Sequence, residues 1–245
     1  MSQTWIILGA TSTIARSFAR LAADSGDGVL LAGRDIADMQ ATASDCAARG
    51  APLAEVIAFD ARDAASFSAI LKRASDIDGT LSVAVFVGSM PTQDAMDADP
   101  SLIAGTVTDN FTGPAIFLTM IAPILEARGN GTVVGVGSVA GDRGRIGNYI
   151  YGAAKAGFHT YLSGLRNRMG RKGVHVMTVK PGTVDTAMTW GMEKLPFLAQ
   201  PEKIAADILR GANGQKNILY TPLIWWPVMT VIRLIPERIF KKLQV

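Results

Sequence analysis

Seven short apolar runs recur along the chain, separated by segments with helical spacing. The runs are TWIIL, GVLLA, LAEVIAF, LSVAVFV, GTVVGVG, VHVMTVK and NILYT. Each is rich in Val, Ile or Leu and lacks polar alternation, which is typical of strands buried on both faces of a parallel sheet. Because strands alternate with helices, the sequence predicts a doubly wound α/β fold with a seven-stranded parallel sheet flanked by helices on both faces.

The length of the chain, 245 residues, allows one large domain with a sizeable core. We expect residues 1–222 to form that domain and residues 223–245 to form an amphipathic C-terminal tail. Apolar residues make up 49% of the chain and charged residues 18%, a globular composition.

The charge and the metal-binding residue types exclude several functions. The net charge is +3, and the basic residues are dispersed until the C-terminus, so no nucleic-acid partner is expected. A single cysteine, Cys46, excludes an internal disulfide and a cysteine-based metal site, and two histidines form no ligand cluster. We therefore expect no metal and a reducing, cytoplasmic compartment. The N-terminal apolar stretch has no basic residues before it and is not expected to be a signal peptide.

The segment GSVAGDRGRIGNYIYGAAKAG, residues 137–157, places a Tyr and a Lys one helical turn apart. An ammonium held beside a phenol favours the phenolate, so Lys155 is expected to lower the pKa of Tyr151. A phenol tuned in this way moves a proton on or off an alcohol or carbonyl oxygen. Ser138, at the end of the preceding strand, is placed to hold the same oxygen. The alternative is a Tyr and a Lys on a solvated helix face.

The turn between the first strand and the first helix contains small residues. Gly9 permits a tight turn, and the N–H groups of the helix N-terminus can face a phosphate. Ser12 and Thr13 either cap the helix or bind a phosphate oxygen, and Ala15 allows close packing of the helix on the strand. An ordinary strand-to-helix turn is equally consistent with this segment.

The ends of the second and third strands carry charged residues. A base at the end of the second strand accepts a ribose 2′-phosphate, so Arg34 indicates NADPH rather than NADH. The alternative is an exposed loop arginine, and Asp35 can cap the following helix. Asp60 either accepts a hydrogen bond from an adenine amino group or caps the helix that begins near Asp63.

Further candidates follow the fourth and sixth strands. Gly88 and Ser89 allow close approach of the backbone to a cofactor. Asn110 lies inside a helical pattern, where a kink can free a carbonyl for a water, although a surface Asn is the commoner explanation. After Pro181 and Gly182 end the sixth strand, Thr183, Val184 and Thr186 are expected to face the nicotinamide end of a cofactor.

Asn110, Ser138, Tyr151 and Lys155, followed by Pro181-Gly182, resemble in order and spacing the signature of the short-chain dehydrogenase/reductase family. The resemblance covers about residues 3–222. It implies a single Rossmann-type domain, a nicotinamide cofactor and a carbonyl/alcohol redox reaction. By position it makes Tyr151 the general acid/base, with Ser138 polarising the substrate oxygen.

The remaining roles also come from the resemblance. They are Lys155 at the nicotinamide ribose, where it also lowers the Tyr151 pKa; Asn110 in a water-linked proton relay; Gly9, Ser12, Thr13 and Ile14 at the pyrophosphate; Arg34 at the 2′-phosphate; Asp60 at the adenine; and Thr186 at the carboxamide. Gly88, Tyr151, Pro181, Gly182 and Val184 complete the expected cofactor set. A homodimer or homotetramer is also implied.

The chain departs from the family pattern at two places. Thr13 and Ala15 stand where the family's glycine motif has its second and third glycines, and the Asn-Asn-Ala-Gly motif after the fourth strand is replaced around Phe86–Ser89. The first motif and the C-terminus are similar to a subgroup that includes reductases of lipid-linked keto sugars.

The C-terminal segment 219–245 combines tryptophans and flanking cations with interrupting prolines. Its apolar run is too short and too interrupted to span a bilayer. Trp225 and Trp226 with the following basic residues suit a membrane interface, and a lid, a core contact or a dimer contact is the alternative. We expect cytoplasmic location with peripheral contact at the inner membrane surface.

These observations predict an NADPH-dependent reductase of an apolar or lipid-linked ketone. The alternatives are an NAD-linked alcohol dehydrogenase and a non-catalytic dinucleotide-binding regulatory protein. The apolar character of the substrate is suggested by one loop, which carries Met188, Trp190, Met192, Leu195 and Phe197.

Overall fold

The computed structural model describes residues 3–191 and 195–243. Seven parallel strands form one sheet: β1 Gln3–Leu8, β2 Gly28–Gly33, β3 Ala54–Ala58, β4 Thr80–Val85, β5 Thr132–Val136, β6 His175–Pro181 and β7 Ile218–Thr221. Their order across the sheet is β3-β2-β1-β4-β5-β6-β7. The predicted fold is therefore confirmed.

Helices cover both faces of the sheet. They are α1 Thr13–Asp24, α2 Ile36–Ala48, α3 Phe67–Asp76, α4 Gln93–Ala98, α5 Ser101–Val107, α6 Gly113–Arg128, α7 Tyr149–Gly170, α8 Pro201–Asn213, α9 Trp225–Leu234 and α10 Glu237–Phe240. The core on one face joins the sheet to α1, α2 and α8 and includes Trp5 and Phe18. The core on the other face joins it to α3, α6 and α7 and includes Phe67, Phe117 and Phe158.

The strand order reverses between β1 and β4. The chain runs from β1 outward to β3 on one side, then returns to β4 and continues outward to β7 on the other. Connections from the two neighbouring strands therefore diverge to opposite faces, which leaves a crevice at the carboxyl ends of β1 and β4. This crevice is where ligands bind in open sheets of this kind.

Within the described residues, one helical stretch, Ser101–Arg128, is long and apolar enough by length and composition to cross a membrane. It is not one regular helix, because a π-helical turn at Thr108–Thr112 separates α5 from α6. Phe117, Ile121 and Leu125 on α6 are fully buried in the core. Packing against the sheet therefore explains part of the apolar character of this stretch.

The predicted tail includes α9 and α10, which fold back onto the body of the protein. Trp225 and Met229 on α9 are buried and form a small apolar cluster with Val139, which follows β5. Arg143 donates hydrogen bonds to the carbonyl oxygens of Ile232 and Ile235, at 2.6 and 2.7 Å. The tail is thus attached to the loop that follows β5.

Candidate active site

A cleft of about 580 Å³ opens at the carboxyl ends of the strands. Among the residues that line it are Gly9, Ser12, Thr13, Ile14, Arg34, Asp60, Gly88, Ser138, Tyr151, Lys155, Pro181, Gly182, Val184 and Thr186. The structure thus brings the predicted site residues together along one cleft. Asn110 does not line it, but its side chain lies directly behind Gly88.

The turn from β1 to α1 forms one end of the cleft. Gly9 has a φ of +74°, and a Cβ there would lie 2.9 Å from the backbone nitrogen of Val87, so a larger residue does not fit. Ser12 is the N-cap residue of α1, but its side chain makes no capping hydrogen bond. Its hydroxyl and the free N–H groups of the first helical turn are therefore available to an anion. This end of the cleft fits a diphosphate.

Arg34 lies exposed at the end of β2 and lines the same cleft. Burial acts to raise the pKa of Asp109, another cleft residue, but hydrogen bonds from Arg62 and Ser89 lower it, and the positive charge of Arg34 adds to the lowering. The neighbouring acid, Asp35, is the N-cap of α2 and accepts the backbone N–H of Asp38 at 3.0 Å, which confirms the capping prediction. Since Asp35 is engaged as a helix cap, Arg34 is the residue at the end of β2 that can bind a substituent on the ribose.

The carboxylate of Asp60 organises the turn after β3. It accepts the backbone N–H of Arg62 at 2.9 Å. Asp63, rather than Asp60, caps the following short helical turn by accepting the N–H of Ala65. The capping alternative for Asp60 is therefore wrong, and Asp60 remains a cleft residue.

Asn110 lies in the π-helical turn and is completely buried. Its Nδ2 donates hydrogen bonds to the carbonyl oxygens of Ser89 and Thr106, at 2.7 and 2.9 Å. Its Oδ1 is buried and has no hydrogen-bond partner among the described residues. A Cβ on Gly88 would lie 2.7 Å from that oxygen and 3.4 Å from Lys155 Nζ, so glycine lets both groups approach the cleft. The surface alternative for Asn110 is wrong.

Ser138 follows β5 by two residues and caps a short 3₁₀ turn, Val139–Asp142. Its Oγ accepts the backbone N–H of Ala140 at 3.1 Å. This bond occupies a lone pair of the hydroxyl and leaves its proton free to be donated. Tyr151, in the first turn of α7, is 6% exposed and lines the same cleft.

The electrostatics of the Tyr–Lys pair differ from the expectation. Burial raises the pKa of Tyr151 to about 12, and the interaction with Ser138 and the charge of Arg145 only partly oppose it. Burial also lowers the pKa of Lys155 to about 8. The Lys155 ammonium donates to the Val136 carbonyl oxygen at 3.1 Å and lies 5.8 Å from the centre of the Tyr151 ring. The expected lowering of the Tyr151 pKa is therefore wrong, because desolvation dominates; Tyr151 is a protonated donor at neutral pH.

The segment after β6 closes the other end of the cleft. A Cβ on Gly182 would lie 1.7 Å from Nε1 of Trp225, so this glycine makes room for an indole from α9. Val184 is buried in the cleft wall. The backbone N–H of Thr186 donates to Oγ1 of Thr189 at 3.2 Å, and both residues line the cleft.

Several contributing residues were not predicted from the sequence. Asp109 lines the cleft; burial acts to raise its pKa, but hydrogen bonds from Arg62 and Ser89 outweigh burial and lower it. The sequence signal that could have identified Asp109 is its position directly before Asn110. His159 accepts the backbone N–H of Ser138. His159 lies one helical turn beyond Lys155, at the same spacing that separates Lys155 from Tyr151, and this was the available signal; the contact with Ser138 itself depends on the fold.

The predicted substrate loop is largely apolar and exposed. Met188 lines the cleft, and Trp190 is 83% exposed. Phe197 is exposed and packs edge-on against Trp225 with ring centres 5.7 Å apart, while Leu195 is half-buried. Met192, also predicted for this loop, lies outside the described residues.

The sequence matches the short chain dehydrogenase family over residues 3–195. It is 30% identical over 239 residues to an uncharacterized oxidoreductase of Mycobacterium tuberculosis, covering 97% of this chain and 96% of the relative. It is 32% identical over 245 residues to an uncharacterized oxidoreductase of Streptomyces coelicolor, covering 98% and 95%.

Solved structures show the same fold. A short-chain dehydrogenase from Sphingobium yanoikuyae in complex with NADPH superimposes with a TM-score of 0.83 at 24% identity, covering 95% of this chain and 94% of that one. A short chain dehydrogenase/reductase family protein gives a TM-score of 0.79 at 28% identity, covering 89% and 94%.

Proposed function

Because this chain belongs to the short-chain dehydrogenase family and is thus an NAD(P)-dependent oxidoreductase, we propose that it is an NADPH-dependent reductase of apolar ketones. The observation that carries the proposal is the convergence of Ser138, Tyr151 and Lys155 on one cleft whose far end holds Arg34. A protein that only bound a dinucleotide would need no buried proton donor at the cleft.

The residues of the cleft fit NADPH. The turn at Gly9 and the uncommitted hydroxyl of Ser12 suit the pyrophosphate. Arg34 suits the 2′-phosphate. The acid beside it, Asp35, caps α2 and is therefore not available to bind the 2′-hydroxyl of NADH. Lys155, beside Gly88, suits the nicotinamide ribose.

NADPH, when bound, supplies a hydride to the carbonyl carbon. The hydroxyl of Ser138 donates a hydrogen bond to the carbonyl oxygen and fixes its position. Tyr151 donates its proton to the same oxygen as negative charge develops there. The ammonium of Lys155 stabilises the phenolate that remains. The buried Oδ1 of Asn110, which has no hydrogen-bond partner among the described residues, can accept from a water that returns a proton.

The test is Tyr151→Phe, with Tyr149→Phe as the matched control. Tyr149 lies two residues away on α7 but is exposed and bonds Asp97. Loss of general acid catalysis predicts that Tyr151→Phe lowers kcat for ketone reduction by about 10²–10⁴-fold, with an unchanged NADPH Kd. Tyr149→Phe should keep native turnover.

Native turnover by Tyr151→Phe would contradict the mechanism. Tight NADPH binding without turnover of any ketone by the native protein would favour a non-catalytic dinucleotide-binding role. Faster alcohol oxidation with NAD than ketone reduction with NADPH would favour an NAD-linked alcohol dehydrogenase.

An apolar, lipid-linked ketone is the substrate class that the cleft mouth supports best. Met188 lines the cleft, Trp190 two residues later is largely exposed, and the exposed Phe197 packs against Trp225 of α9. Exposed aromatic side chains beside a cleft gain free energy when an apolar group covers them. A long apolar substrate can occupy this surface while its ketone reaches Tyr151.

The outer face of the tail suits contact with an anionic bilayer at the cytoplasmic membrane surface. Trp226, Val231 and Leu234 on α9 are 57%, 63% and 76% exposed. The same segment carries four exposed cations, Arg233, Arg238, Lys241 and Lys242. An apolar helix face flanked by cations is typical of helices that lie in a membrane interface.

Vesicle flotation of the full chain tests this contact. Truncation is unsuitable, since α9 packs beside the turn that carries Ser138. The native chain should float with vesicles containing anionic lipid and less with neutral ones, and Trp226→Ser with Leu234→Ser should abolish flotation. Ile36→Ser with Ile218→Ser, which changes exposed apolar residues of α2 and β7, should not affect it. A native chain that stays unbound contradicts the proposal, and a change in its oligomeric state on Trp226→Ser would assign this face to a second copy.

A homodimer or homotetramer is proposed through the surface of α6 and α7. A shallow groove of about 640 Å³ there is lined mainly by apolar atoms and includes Phe111, Tyr161 and Leu165. Helix α6 forms one wall of the groove, and Ile116 and Met120 on this helix are exposed. Burial of these residues against a second copy removes an apolar surface from water.

A further inference from the structure

The imidazole of His159 is enclosed by the turn that carries Ser138. A Cβ on Gly137 would lie 2.1 Å from its Nε2, and a Cβ on Gly141 would lie 2.7 Å from its Cε1. The two glycines stand on either side of the turn, before and after Ser138. The turn and the imidazole therefore fit each other so closely that no larger residue is possible at either glycine.

One nitrogen of this imidazole bonds the serine directly. Nε2 of His159 accepts the backbone N–H of Ser138 at 3.3 Å. Burial and the nearby charges of Lys180 and Lys155 lower the pKa of His159 to about 3, against the opposing charge of Asp142. The ring is therefore neutral at working pH, and because Nε2 is an acceptor, Nδ1 carries the proton.

The other side of the ring faces a buried polar cluster. Nδ1 of His159 lies 3.8 Å from Oδ1 of Asp142, too far for a hydrogen bond but close enough for the carboxylate to favour the proton on Nδ1. Asp142 itself is held by Lys180, at 2.5 Å, and by the hydroxyl of Tyr220 on β7, at 2.7 Å. The charge of Asp142 thus favours the tautomer with the proton on Nδ1, and the close fit of Gly137 and Gly141 around the ring fixes its orientation.

We propose that His159 is a positioning residue for ketone reduction: its neutral imidazole holds the backbone of Ser138 so that the serine hydroxyl points at the substrate oxygen. Ser138 has two fixed contacts, its N–H to His159 and its Oγ from Ala140. Without the first contact the turn is free to rotate, and the hydroxyl loses its alignment. This inference rests on the proposed function, since it assigns a role within that reaction.

A double-mutant cycle on kcat separates this role from general stabilisation. His159→Leu removes the acceptor and should lower kcat by about tenfold to a hundredfold, a loss typical of a misplaced catalytic group, with the NADPH Kd unchanged. His159→Gln keeps an acceptor near the Nε2 position and should recover most of the loss. In a Ser138→Ala background, His159→Leu should cost less than about twofold, because the group it positions is gone.

His175→Leu is the matched control, because His175 stands at the start of β6, away from the cleft, where its Nε2 bonds the backbone carbonyl oxygen of Lys216. It should leave kcat native. Full additivity of His159→Leu and Ser138→Ala, or no rescue by His159→Gln, overturns the proposal.

A second readout does not require turnover. Hydrogen exchange of the peptide covering residues 137–142 should be faster in His159→Leu than in the native protein and native-like in His159→Gln. Unchanged exchange in His159→Leu overturns the positioning role even if the native protein reduces no ketone. If exchange is faster in His159→Leu but the native protein reduces no ketone, His159 does hold the turn and it is the proposed reductase function that is refuted.

Discussion

Lys155 is an ammonium buried without a carboxylate partner among the described residues, and this sets the pH dependence that we expect. Burial lowers its pKa to about 8, whereas Tyr151, with a pKa raised to about 12, stays protonated. The reaction needs the phenol proton and the Lys155 charge together. At neutral pH both are present.

Ketone reduction should therefore be fast at low pH and slow at high pH. We predict that kcat/KM is constant below about pH 7 and falls about tenfold per unit above the Lys155 pKa, because the charge that stabilises the phenolate is lost. A steady-state pH profile measures this. A rate that rises with pH, or stays flat through the ordinary lysine pKa of about 10.4, would contradict the assignment.

Arg34 is the residue that should decide the choice of cofactor. Hydrogen bonds to a charged group contribute about 1.5–3 kcal/mol, so Arg34→Ala should raise the KM for NADPH by about 10–100-fold. The KM for NADH should change by less than about threefold, because NADH lacks the 2′-phosphate. Steady-state kinetics with both cofactors measure the difference.

Arg49→Ala controls for the loss of an exposed arginine, since Arg49 pairs with Asp24 and Asp45 away from the cleft. It should change neither constant. Equal losses for NADPH and NADH in Arg34→Ala would refute the 2′-phosphate role.

At the scale of the elements, Arg143 fastens the tail to the loop after β5. It donates to backbone carbonyl oxygens at the end of α9, pairs with Glu237 at 2.9 Å and stacks on Phe240. The last carbonyls of a helix have no partners within the helix, so Arg143 acts as a C-terminal cap.

Arg143→Ala should release the end of the tail. Loss of charged hydrogen bonds predicts a free energy of unfolding lower by about 2 kcal/mol and faster proteolytic cleavage after residue 234. Denaturant unfolding and limited proteolysis measure the two effects. Arg238→Ala, which changes an exposed arginine of α10, should leave both native; equal cleavage rates for the two variants would show that Arg143 does not hold the tail.

The sequence predicted the elements unequally. Runs of Val, Ile and Leu located each strand to within about two residues, because burial on both faces leaves a strong local pattern. The π-helical turn at Thr108–Thr112 was expected only as a kink, since its hydrogen bonding depends on tertiary contacts of Asn110. The docking of α9 beneath Gly182 left no local signal, because the two are brought together only by the fold.

At the scale of the whole molecule, the parallel sheet explains why widely spaced residues could be assigned to one site. Residues that follow β1, β2, β4, β5 and β6 meet at one edge, because all strands point the same way. Their spacing therefore sufficed to predict the cleft. The pKa of Tyr151 could not be predicted in this way, because desolvation is a sum over all neighbours rather than the effect of one lysine.

The central claim is that the cleft transfers hydride to a ketone while Tyr151 supplies the proton. A single-turnover experiment with NADPH deuterated at nicotinamide C4 tests it most directly, with the product analysed for deuterium. The account predicts deuterium on the carbinol carbon with the native protein and transfer slowed by at least about 10²-fold in Tyr151→Phe. NADPH-bound native protein that transfers no deuterium to any ketone, or a Tyr151→Phe variant that transfers it at the native rate, would contradict the account.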